Sequence, residues 1–522
     1  MSVILDNLPA LLIALPILGA ILCPVISRIS DNVRNGWVLL ISALTSLTCL
    51  AVAEKVFAQG ALVYTFGISA INQVIPPDSG GIPVRIIFVI DQMNAFMLVI
   101  AAIVGFCITV YSISGISRLS GKDGFYTLLM LLTAGVIGMI STGDLFNFFV
   151  FLEISSLSGA ALVAYRVDKG VAAEAGLKYG ALSTLGGLMF LVGIGLLFVQ
   201  YNSLNIAVLA SRIQLTNLDI IAFVLLFTAL AMKCGAVPMH FWTPDSYSMA
   251  PSGVTAFLVV SSQASLYGLF RICFTLFGAQ INPLTIGWVI IVLGVLSMFI
   301  GVTMAIPQKD VKRLMAYHAV SQTGYMLLGV GVGLAALSNM NMFESAGMMA
   351  LTGGIFHIMN HALYKGLLFL TAGVIFFRCG TRNLNQLGGL GHNMKWTMIF
   401  FMIGALAIAG IPPFNGFASK LLIYESTFIF NPVLSVIAMV VSILTLASFV
   451  KVFHSMFMGP VLPEYSEVKE APKPMLIAMG ILAFLVILFG IFPQQVIDFM
   501  VTPAATALVN YPGYIHAVLG GV

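Results

Sequence analysis

The sequence consists of long apolar stretches separated by short polar ones. Of its 522 residues, 60% are hydrophobic and only 8% are charged, too few to cover a soluble protein of this size. Apolar stretches of about 20 residues are long enough to cross a bilayer as helices. Inside a bilayer the backbone must bond internally, so we predict an all-α polytopic membrane protein. We expect about fourteen spans, at residues 9–27, 37–55, 89–114, 125–142, 145–165, 174–200, 218–240, 251–278, 284–305, 312–334, 347–377, 396–425, 430–458 and 474–496.

Basic residues divide unevenly between the two sides that alternating spans define. Cytoplasmic loops of membrane proteins carry an excess of Lys and Arg. Even-numbered spans are followed by Lys55, Arg85 and Arg212, with Arg271 as a fourth. Odd-numbered spans are followed by Arg28, Arg34, Arg118, Lys122, Arg166, Lys169, Lys309, Lys312, Arg313, Arg378, Arg382, Lys395, Lys469 and Lys473. We therefore expect both termini to lie outside the cytoplasm, in a prokaryotic cell membrane.

Two broken spans suggest an internal repeat. Span seven carries Lys233 and is interrupted at Pro238, and span twelve is interrupted at Pro412-Pro413 before Lys420. The two lie five spans apart, and because five is odd the second copy enters from the opposite side, as in many transporters. We predict two inverted five-helix repeats. The resulting divisions are 1–122 (spans one to three), 123–280 (first repeat), 281–460 (second repeat) and 461–522 (last span and tail).

Segments outside the predicted spans give little further information about function. Residues 67–85 contain Pro76-Pro77-Asp78 and further turn-forming residues, which predict an external loop with a short hairpin. The first apolar stretch has only Asp6 as a charged residue before it, so we expect an uncleaved first span. The six cysteines form no C-x-x-C, and no nucleotide-binding motif occurs. We expect no cofactor in this chain and no nucleic-acid partner.

Charged side chains occur inside the apolar spans. A cation such as Lys233 near the middle of a span costs roughly 2.5 kcal/mol or more, so a role in handling charge is expected. Glu153 lies in another span, with Ser155, Ser156 and Ser158 after it. A buried carboxylate and ammonium can exist as an ion pair or as two neutral groups. Glu153 and Lys233 are thus a candidate switch, and a purely structural salt bridge is the alternative.

Three titratable residues share one face of span eleven. His357, His361 and Lys365 are spaced i, i+4, i+8, which places them along roughly 12 Å of one helix face. Histidine titrates near neutral pH and suits a proton relay. Metal binding and plain helix packing are alternatives, although the glutamate of an H-E-x-x-H motif is absent.

The remaining candidates have two interpretations each. His318 suits either a cytoplasmic entrance to a relay or packing, and His240 suits either the path or a cap for backbone groups freed at the first break. Asp144 is better interpreted as a helix cap than as a relay member. Lys420 and Glu425 follow the second break and are either the far end of the line or an interfacial pair that reaches water.

Five segments together resemble a known family. They are Thr142-Gly-Asp-Leu-Phe-Asn-Phe-Phe-Val-Phe-Leu-Glu153, Lys233-Cys-Gly-Ala-Val-Pro-Met-His-Phe-Trp-Thr-Pro-Asp245, the stretch from Asp310 to Tyr325, the stretch from His361 to Leu370, and Gly410-Ile-Pro-Pro-Phe-Asn-Gly-Phe-Ala-Ser-Lys420. In this order, over about residues 90 to 460, the chain resembles the antiporter-like subunits shared by respiratory complex I, Mrp sodium/proton antiporters (D-type subunit) and membrane-bound hydrogenases. Tyr317-His318 with Ser321-Gln322 is more similar to the Mrp and hydrogenase branches.

The resemblance implies a fourteen-span subunit with two inverted repeats and a central polar axis. It also implies that Glu153 pairs with Lys233 and that the axis continues to Lys420. One position departs from the family pattern, because Gln263 stands where a lysine is usual, four residues before Tyr267. An amide hydrogen-bonds but does not titrate. Either His240 or water substitutes for that lysine, or the relay is interrupted between the halves.

These observations favour a proton-translocating, or sodium-translocating, subunit of a multisubunit membrane complex. We expect membrane-subunit partners and peripheral redox subunits with iron–sulfur clusters. The driving force, either redox chemistry or the opposing ion gradient of an Mrp antiporter, is then supplied outside this chain. The alternatives are an independent secondary transporter of a solute, or a structural membrane anchor that no longer conducts.

Overall fold

The computed structural model describes residues 7–66, 86–117, 120–166 and 170–520, and most of them form helices that run side by side. The elements, in chain order, are α1 (Leu8–Ser27), α2 (Asp31–Gln59), β1 (Leu62–Thr65), β2 (Ile87–Ile90), α3 (Gln92–Gly115), α4 (Lys122–Ser141), α5 (Leu145–Val163), α6 (Gly170–Tyr201), α7 (Ile206–Arg212), α8 (Asn217–Lys233), α9 (Trp242–Met249), α10 (Ser252–Leu276), α11 (Pro283–Ala305), α12 (Val311–Ala336), α13 (Met340–Cys379), α14 (Lys395–Ala409), α15 (Asn415–Phe430), α16 (Pro432–Phe457), α17 (Lys473–Ile491), α18 (Thr502–Val509) and α19 (Tyr511–Leu519).

Twelve of the described helices are long and apolar enough to cross a membrane. They coincide with twelve of the predicted spans, which confirms a multi-pass helical membrane protein. The other two predicted spans, 218–240 and 396–425, correspond to interrupted helices: α8 followed by α9, and α14 followed by α15. The total of fourteen crossings, the two repeats and the four divisions of the chain stay predictions.

The central helices are α10, α12 and α13, which are buried along most of their length. Small residues let α11 approach α12 closely. A Cβ at Gly294 would lie 2.9 Å from the carbonyl oxygen of Gly324, and one at Gly301 would lie 2.6 Å from the backbone nitrogen of Ser321. Such backbone proximity is typical of small residues at helix interfaces in membranes. The contact holds α12, which carries His318, against the bundle.

A hairpin precedes the third span, and the end of the last predicted span needs correction. The only sheet in the described ranges is an antiparallel hairpin, with Leu62 opposite Ile90 and Thr65 opposite Ile87. It flanks the predicted loop 67–85, which lies outside the described residues. After α17 the chain forms further helices, where the last span was predicted to run to residue 496. These include α18, which packs on α3, and α19, which packs on α7.

Candidate ion pathway

Glu153 and Lys233 meet between α5 and α8. Lys233 Nζ lies 3.8 Å from Glu153 Oε1, and it also donates a hydrogen bond to Ser156 Oγ. The lysine side chain is 5% exposed and the glutamate 23%. Because 3.8 Å is longer than a hydrogen bond, the pair is a loose electrostatic contact rather than a locked salt bridge. Oε1 accepts no hydrogen bond from any described residue.

Two glycines of α6 make room for this pair. A Cβ at Gly187 would collide with Glu153 Oε1 and would lie 2.8 Å from its Cδ, and a Cβ at Gly186 would lie 3.4 Å from Lys233 Cε. The Gly186-Gly187 step therefore forms the wall against which both charged side chains rest. Sequence inspection missed these glycines, although consecutive glycines within a span were a usable signal.

The first break occurs directly after Lys233. Gly235 adopts φ +76°, and the backbone nitrogens of Gly235 and Ala236 donate to the carbonyls of Met232 (3.2 Å) and Ala231 (3.1 Å), which is a Schellman end. A neighbouring helix supplies a further partner, because Val237 N donates to Ser297 Oγ at 3.0 Å. Protein groups thus satisfy part of the break, as non-helical backbone within a membrane requires.

His240 lies in the same break but contacts neither member of the pair. Its ring stacks on Phe241 with centroids 4.9 Å apart, and Nδ1 has no hydrogen bond to a described residue. The carbonyl of Met232, which accepts from Gly235 N, also accepts from Trp242 Nε1 at 3.0 Å. The His240 imidazole interacts with the backbone of Pro238, which favours the predicted cap for backbone groups freed at the break, and its place in the path stays a prediction.

Gln263 joins the two halves of the line. Its Nε2 lies 2.9 Å from the carbonyl oxygen of Ile358 and 2.8 Å from His361 Nδ1. The Ile358 carbonyl only accepts hydrogen bonds, so it fixes which end of the amide carries the donors. His361 Nδ1 must then accept from Gln263, which leaves the imidazole proton of a neutral His361 on Nε2. That nitrogen has no hydrogen-bond partner among the described residues.

His357 belongs to a separate cluster beyond His361. Its Nδ1 lies 2.9 Å from Ser419 Oγ on α15, and its Nε2 lies 3.2 Å from both Gln322 Oε1 and Tyr364 Oη. The two histidines thus use their nitrogens for different polar neighbours. No group of three or more His, Cys, Asp or Glu side chains in the described part of the chain is arranged to hold a metal ion.

Lys365 and His318 both lie near the Phe449 ring. Lys365 Nζ donates to the carbonyl of Met315 at 2.7 Å and lies 5.8 Å from the Phe449 centroid. The His318 ring lies 5.0 Å from the same centroid, and neither of its nitrogens bonds a described residue. His318 is completely buried. Helix α12 carries His318 nearly two turns beyond Val311 into the core. The ring contact fits the packing alternative, and the cytoplasmic entrance stays a prediction.

Lys420 lies against the second break. Its Nζ donates to the carbonyl of Ile408 at 2.7 Å and to Ser442 Oγ at 3.0 Å, and lies 4.8 Å from the Tyr325 ring centroid. This break has the same backbone form as the first, with Gly410 at φ +78°, Gly410 N bonded to Ala407 O and Ile411 N bonded to Leu406 O. The lysine thereby binds a carbonyl at the end of α14 while belonging to α15.

Glu425 does not join Lys420, contrary to the predicted pairing. Lys420 is 1% exposed, whereas Glu425 lies on the exposed face of α15 and forms no ion pair with any described residue. A helix turns about 100° per residue, so residues five apart point to nearly opposite faces. The residues that point inward with Lys420 include Ser419, which bonds His357.

The predictions from the sequence missed or misplaced other buried charges. Lys312, predicted as a loop cation, is buried and donates to the carbonyl of Ala250 at 2.5 Å. Arg271 is also buried, with Nη1 2.8 Å from Asp91 Oδ2. Lys312 thereby binds the carbonyl of the residue that ends α9, and Arg271 pairs with the aspartate whose side chain caps α3. The spacing of these charges along the chain does not reveal their partners.

The Asp144 prediction is confirmed. Asp144 caps α5, and its Oδ1 accepts a hydrogen bond from Asn147 N at 2.8 Å. Burial raises the pKa of the Asp144 carboxyl to about 6, and the backbone N–H groups of Asn147 and Phe146 oppose that rise. A helix cap accounts for these contacts without a relay role.

Known protein families match most of this sequence. Residues 142–445 match the transmembrane family described as NADH:quinone oxidoreductase/Mrp antiporter, and residues 77–117 match the family described as NADH-ubiquinone oxidoreductase (complex I), chain 5 N-terminus. The first match spans more than half of the chain and contains every predicted pathway residue. The chain belongs to the NADH:quinone oxidoreductase/Mrp antiporter family. Its membership confirms the resemblance that the five segments indicate.

Individual relatives come from several branches of the family. NADH-quinone oxidoreductase subunit N of Desulforudis audaxviator is 31% identical over 94% of this chain and 97% of its own length. The D-type subunit of the Na(+)/H(+) antiporter of Alkalihalophilus pseudofirmus is 32% identical over 84% of this chain and 86% of its own length. Hydrogenase-4 component B of Escherichia coli is 31% identical over 77% of this chain and 62% of its own length. Because the identities are similar, they do not separate the branches.

Solved structures agree in fold over the whole chain. A chain of the Mrp complex from Dietzia sp. DQ12-45-1b superposes with a TM-score of 0.84 at 27% identity, covering 100% of both chains. A chain of an archaeal membrane-bound sulfane sulfur reductase superposes with a TM-score of 0.82 at 28% identity, covering 98% of this chain and 99% of its own. The chain therefore has the fold of an antiporter-like membrane subunit.

Proposed function

We propose that this chain translocates protons, or sodium ions, as one membrane subunit of a multisubunit complex. The observation that carries the proposal is the series of buried titratable side chains that crosses both halves of the bundle. Each lysine of the series has a hydrogen-bond acceptor: Lys233 has Ser156, Lys365 has the Met315 carbonyl, and Lys420 has the Ile408 carbonyl. A buried lysine is costly within a membrane, so lysines at such positions are typical of proteins that move charge.

Water is proposed to complete the line between these side chains. Buried polar atoms are normally satisfied by protein or by ordered water. Several atoms along the line have no hydrogen-bond partner among the described residues: Glu153 Oε1, Gln263 Oε1, His318 Nδ1 and Nε2, Gln322 Nε2, Asn360 Oδ1, His361 Nε2 and both side-chain atoms of Asn415. Bound water at these atoms would let protons pass between groups that do not touch.

Gln263 is proposed as a hydrogen-bonding bridge rather than a carrier. Its amide does not titrate, and its donors are committed to Ile358 and His361. A proton reaching the junction must therefore bypass the amide through water. The contact nevertheless holds His361 in one orientation at the point where α10 of the first half meets α13 of the second.

Partners and orientation follow from the family and from charge. Relatives belong to an Mrp antiporter, a complex I-type oxidoreductase and a hydrogenase, so we propose other membrane subunits as neighbours. Peripheral iron–sulfur subunits are proposed for a hydrogenase or complex I-like assembly. The Tyr317-His318 form favours the Mrp and hydrogenase branches over complex I. The basic-residue asymmetry supports a prokaryotic cell membrane location with both termini outside the cytoplasm.

Lys420 and Glu425 provide a matched test of the proposal. In membrane vesicles holding the intact complex, Lys420→Ala should lower ion movement by about tenfold or more, since a relay group is lost. Glu425→Gln on the same helix should leave it unchanged, because Glu425 faces outward. The proposal fails if both variants transport at the wild-type rate while the complex remains assembled.

The solute-transporter alternative fits the geometry less well. Such a transporter needs a roomy polar site near the midplane, whereas His357, His361 and Lys365 are at most 2% exposed and packed against neighbouring helices. The anchor alternative is favoured by one observation, the amide at Gln263. Ion transport in vesicles, compared between the wild-type complex and the Lys420→Ala variant, distinguishes this anchor alternative from a conducting subunit.

A further inference from the structure

Two side chains of α5 present oxygens to the Lys233 ammonium. Ser156 follows Glu153 by three residues, so the two side chains lie on the same side of the helix. The Ser156 hydroxyl accepts a hydrogen bond from Lys233 Nζ, whereas Glu153 Oε1 lies 3.8 Å from that nitrogen. Ser156 is buried, at 3% exposure. The lysine thus binds the neutral oxygen of α5 more closely than it binds the carboxylate.

The Ser156 hydroxyl is oriented to accept a hydrogen bond from the lysine. Ser156 Oγ donates to the carbonyl oxygen of Leu152 at 2.6 Å, and a carbonyl oxygen can only accept. The single hydroxyl proton is therefore used within α5, and the lone pairs of Oγ remain for a donor from another helix. Lys233 Nζ on α8 is that donor.

Loss of this hydroxyl would leave the ammonium poorly bonded. In the described part of the chain, Ser156 Oγ is the hydrogen-bond acceptor of Lys233 Nζ, and Glu153 Oε1 accepts from no donor. A buried ammonium without an acceptor is costly. The Glu153 carboxylate would then take the hydrogen bond, and the loose contact would become a hydrogen-bonded ion pair.

The wall formed by α6 leaves few other responses. Lys233 Cε would lie 3.4 Å from a Cβ at Gly186, and Glu153 Oε1 occupies the space that a Cβ at Gly187 would need. Both charged side chains therefore already rest against the backbone of α6. Movement toward each other is easier for them than movement toward α6.

We propose that Ser156 is a positioning residue, which holds the Lys233 ammonium off the Glu153 carboxylate and so keeps the pair able to separate. A buried ion pair becomes harder to open when it gains a direct charge-assisted hydrogen bond. Two charges held together in this way interact less with the next group of the line. This role rests on the proposed ion translocation, in which Ser156 itself carries no proton.

Ion movement in membrane vesicles holding the intact complex tests the role of Ser156. Ser156→Ala should lower the rate by about tenfold, the factor that one charge-assisted hydrogen bond typically represents. Ser155→Ala is the matched control and should transport at the wild-type rate. The Ser155 hydroxyl also bonds the Leu152 carbonyl, at 2.8 Å, but it makes no hydrogen bond to Lys233.

Two further comparisons separate positioning from packing. Ser156→Thr keeps the hydroxyl and should transport close to the wild-type rate, whereas Ser156→Val has the shape of threonine without the hydroxyl and should be as slow as Ser156→Ala. In a double variant with Glu153→Gln, Ser156→Ala should add no further loss, because no carboxylate remains to capture the ammonium.

Three results would overturn the role of Ser156. They are wild-type ion movement in Ser156→Ala, equal slowing in assembled Ser156→Thr and Ser156→Val complexes, and a full additional loss when Ser156→Ala is combined with Glu153→Gln. Each of them would make Ser156 a packing residue. Failure of the proposed function has a different signature, which is wild-type ion movement in Glu153→Gln alone.

Discussion

At the scale of single residues, Gly187 decides where the Glu153 carboxylate can lie. A Cβ at this position would overlap Oε1, so Gly187→Ala must push the carboxylate away from Lys233 or separate α5 from α6. We expect ion movement in vesicles to fall by about tenfold, with a loss of stability of about 1–3 kcal/mol from overpacking. Gly195→Ala on the same helix is the control, since its Cβ meets no atom within 4 Å. Equal rates in both variants would contradict the assigned packing.

Gln263 is the other residue whose chemistry can be isolated. Gln263→Met keeps the length of the side chain but removes the donors to Ile358 and His361, so we expect transport to fall by roughly tenfold. Gln263→Lys supplies an ammonium that can donate to both acceptors, and should transport at least as well as wild type. Vesicle assays of the assembled complexes distinguish the two. Wild-type transport by Gln263→Met would mean that the halves work without this bridge.

At the scale of elements, the two breaks are built alike. Each helix ends in a Schellman motif at a positive-φ glycine, Gly235 or Gly410, and each break continues into a further turn, with Met239 N bonded to Ala236 O and Phe414 N to Ile411 O. The lysines lie on opposite sides of their breaks, Lys233 before and Lys420 after. This shared geometry supports the predicted inverted repeat.

The first break depends on a side chain from α11. Ser297 Oγ accepts a hydrogen bond from Val237 N, so Ser297→Ala leaves a buried N–H unsatisfied at a cost of about 1–3 kcal/mol. Ser426→Ala is the matched control, because the Ser426 hydroxyl bonds only carbonyls of its own helix. Thermal unfolding of the purified complex should show a lower midpoint for Ser297→Ala alone. Equal midpoints would show that Val237 finds another acceptor.

Much of this could be predicted from the sequence, for physical reasons. Spans follow from apolar length, breaks from proline and glycine, and the His357–His361–Lys365 face from helical periodicity. Partners across helices could not be predicted, because they depend on rotation and packing. Glu425 shows this, since counting turns from Lys420 ignored the phase of the helix. Lys312, Asp91 and the Gly186-Gly187 wall were hidden for the same reason.

At the scale of the whole molecule, polar contacts join the two predicted halves at several places. Gln263 on α10 meets His361 on α13, and α9 packs on α12. Further contacts run from Val237 to Ser297, from Lys312 to the Ala250 carbonyl and from Arg313 to Asp245. Charge in one half can influence the other electrostatically across this interface.

The Glu153–Lys233 pair is the most direct test of this account. Proton and sodium movement should be measured in membrane vesicles holding the intact complex, with wild type compared to Glu153→Gln and Lys233→Ala. Glu174→Gln is the control, since Glu174 forms only a surface ion pair with Lys178. The account predicts a loss of about tenfold or more in both pair variants, with the complex assembled and the control unchanged. Wild-type ion movement in Glu153→Gln and Lys233→Ala would make the pair structural and contradict the pathway.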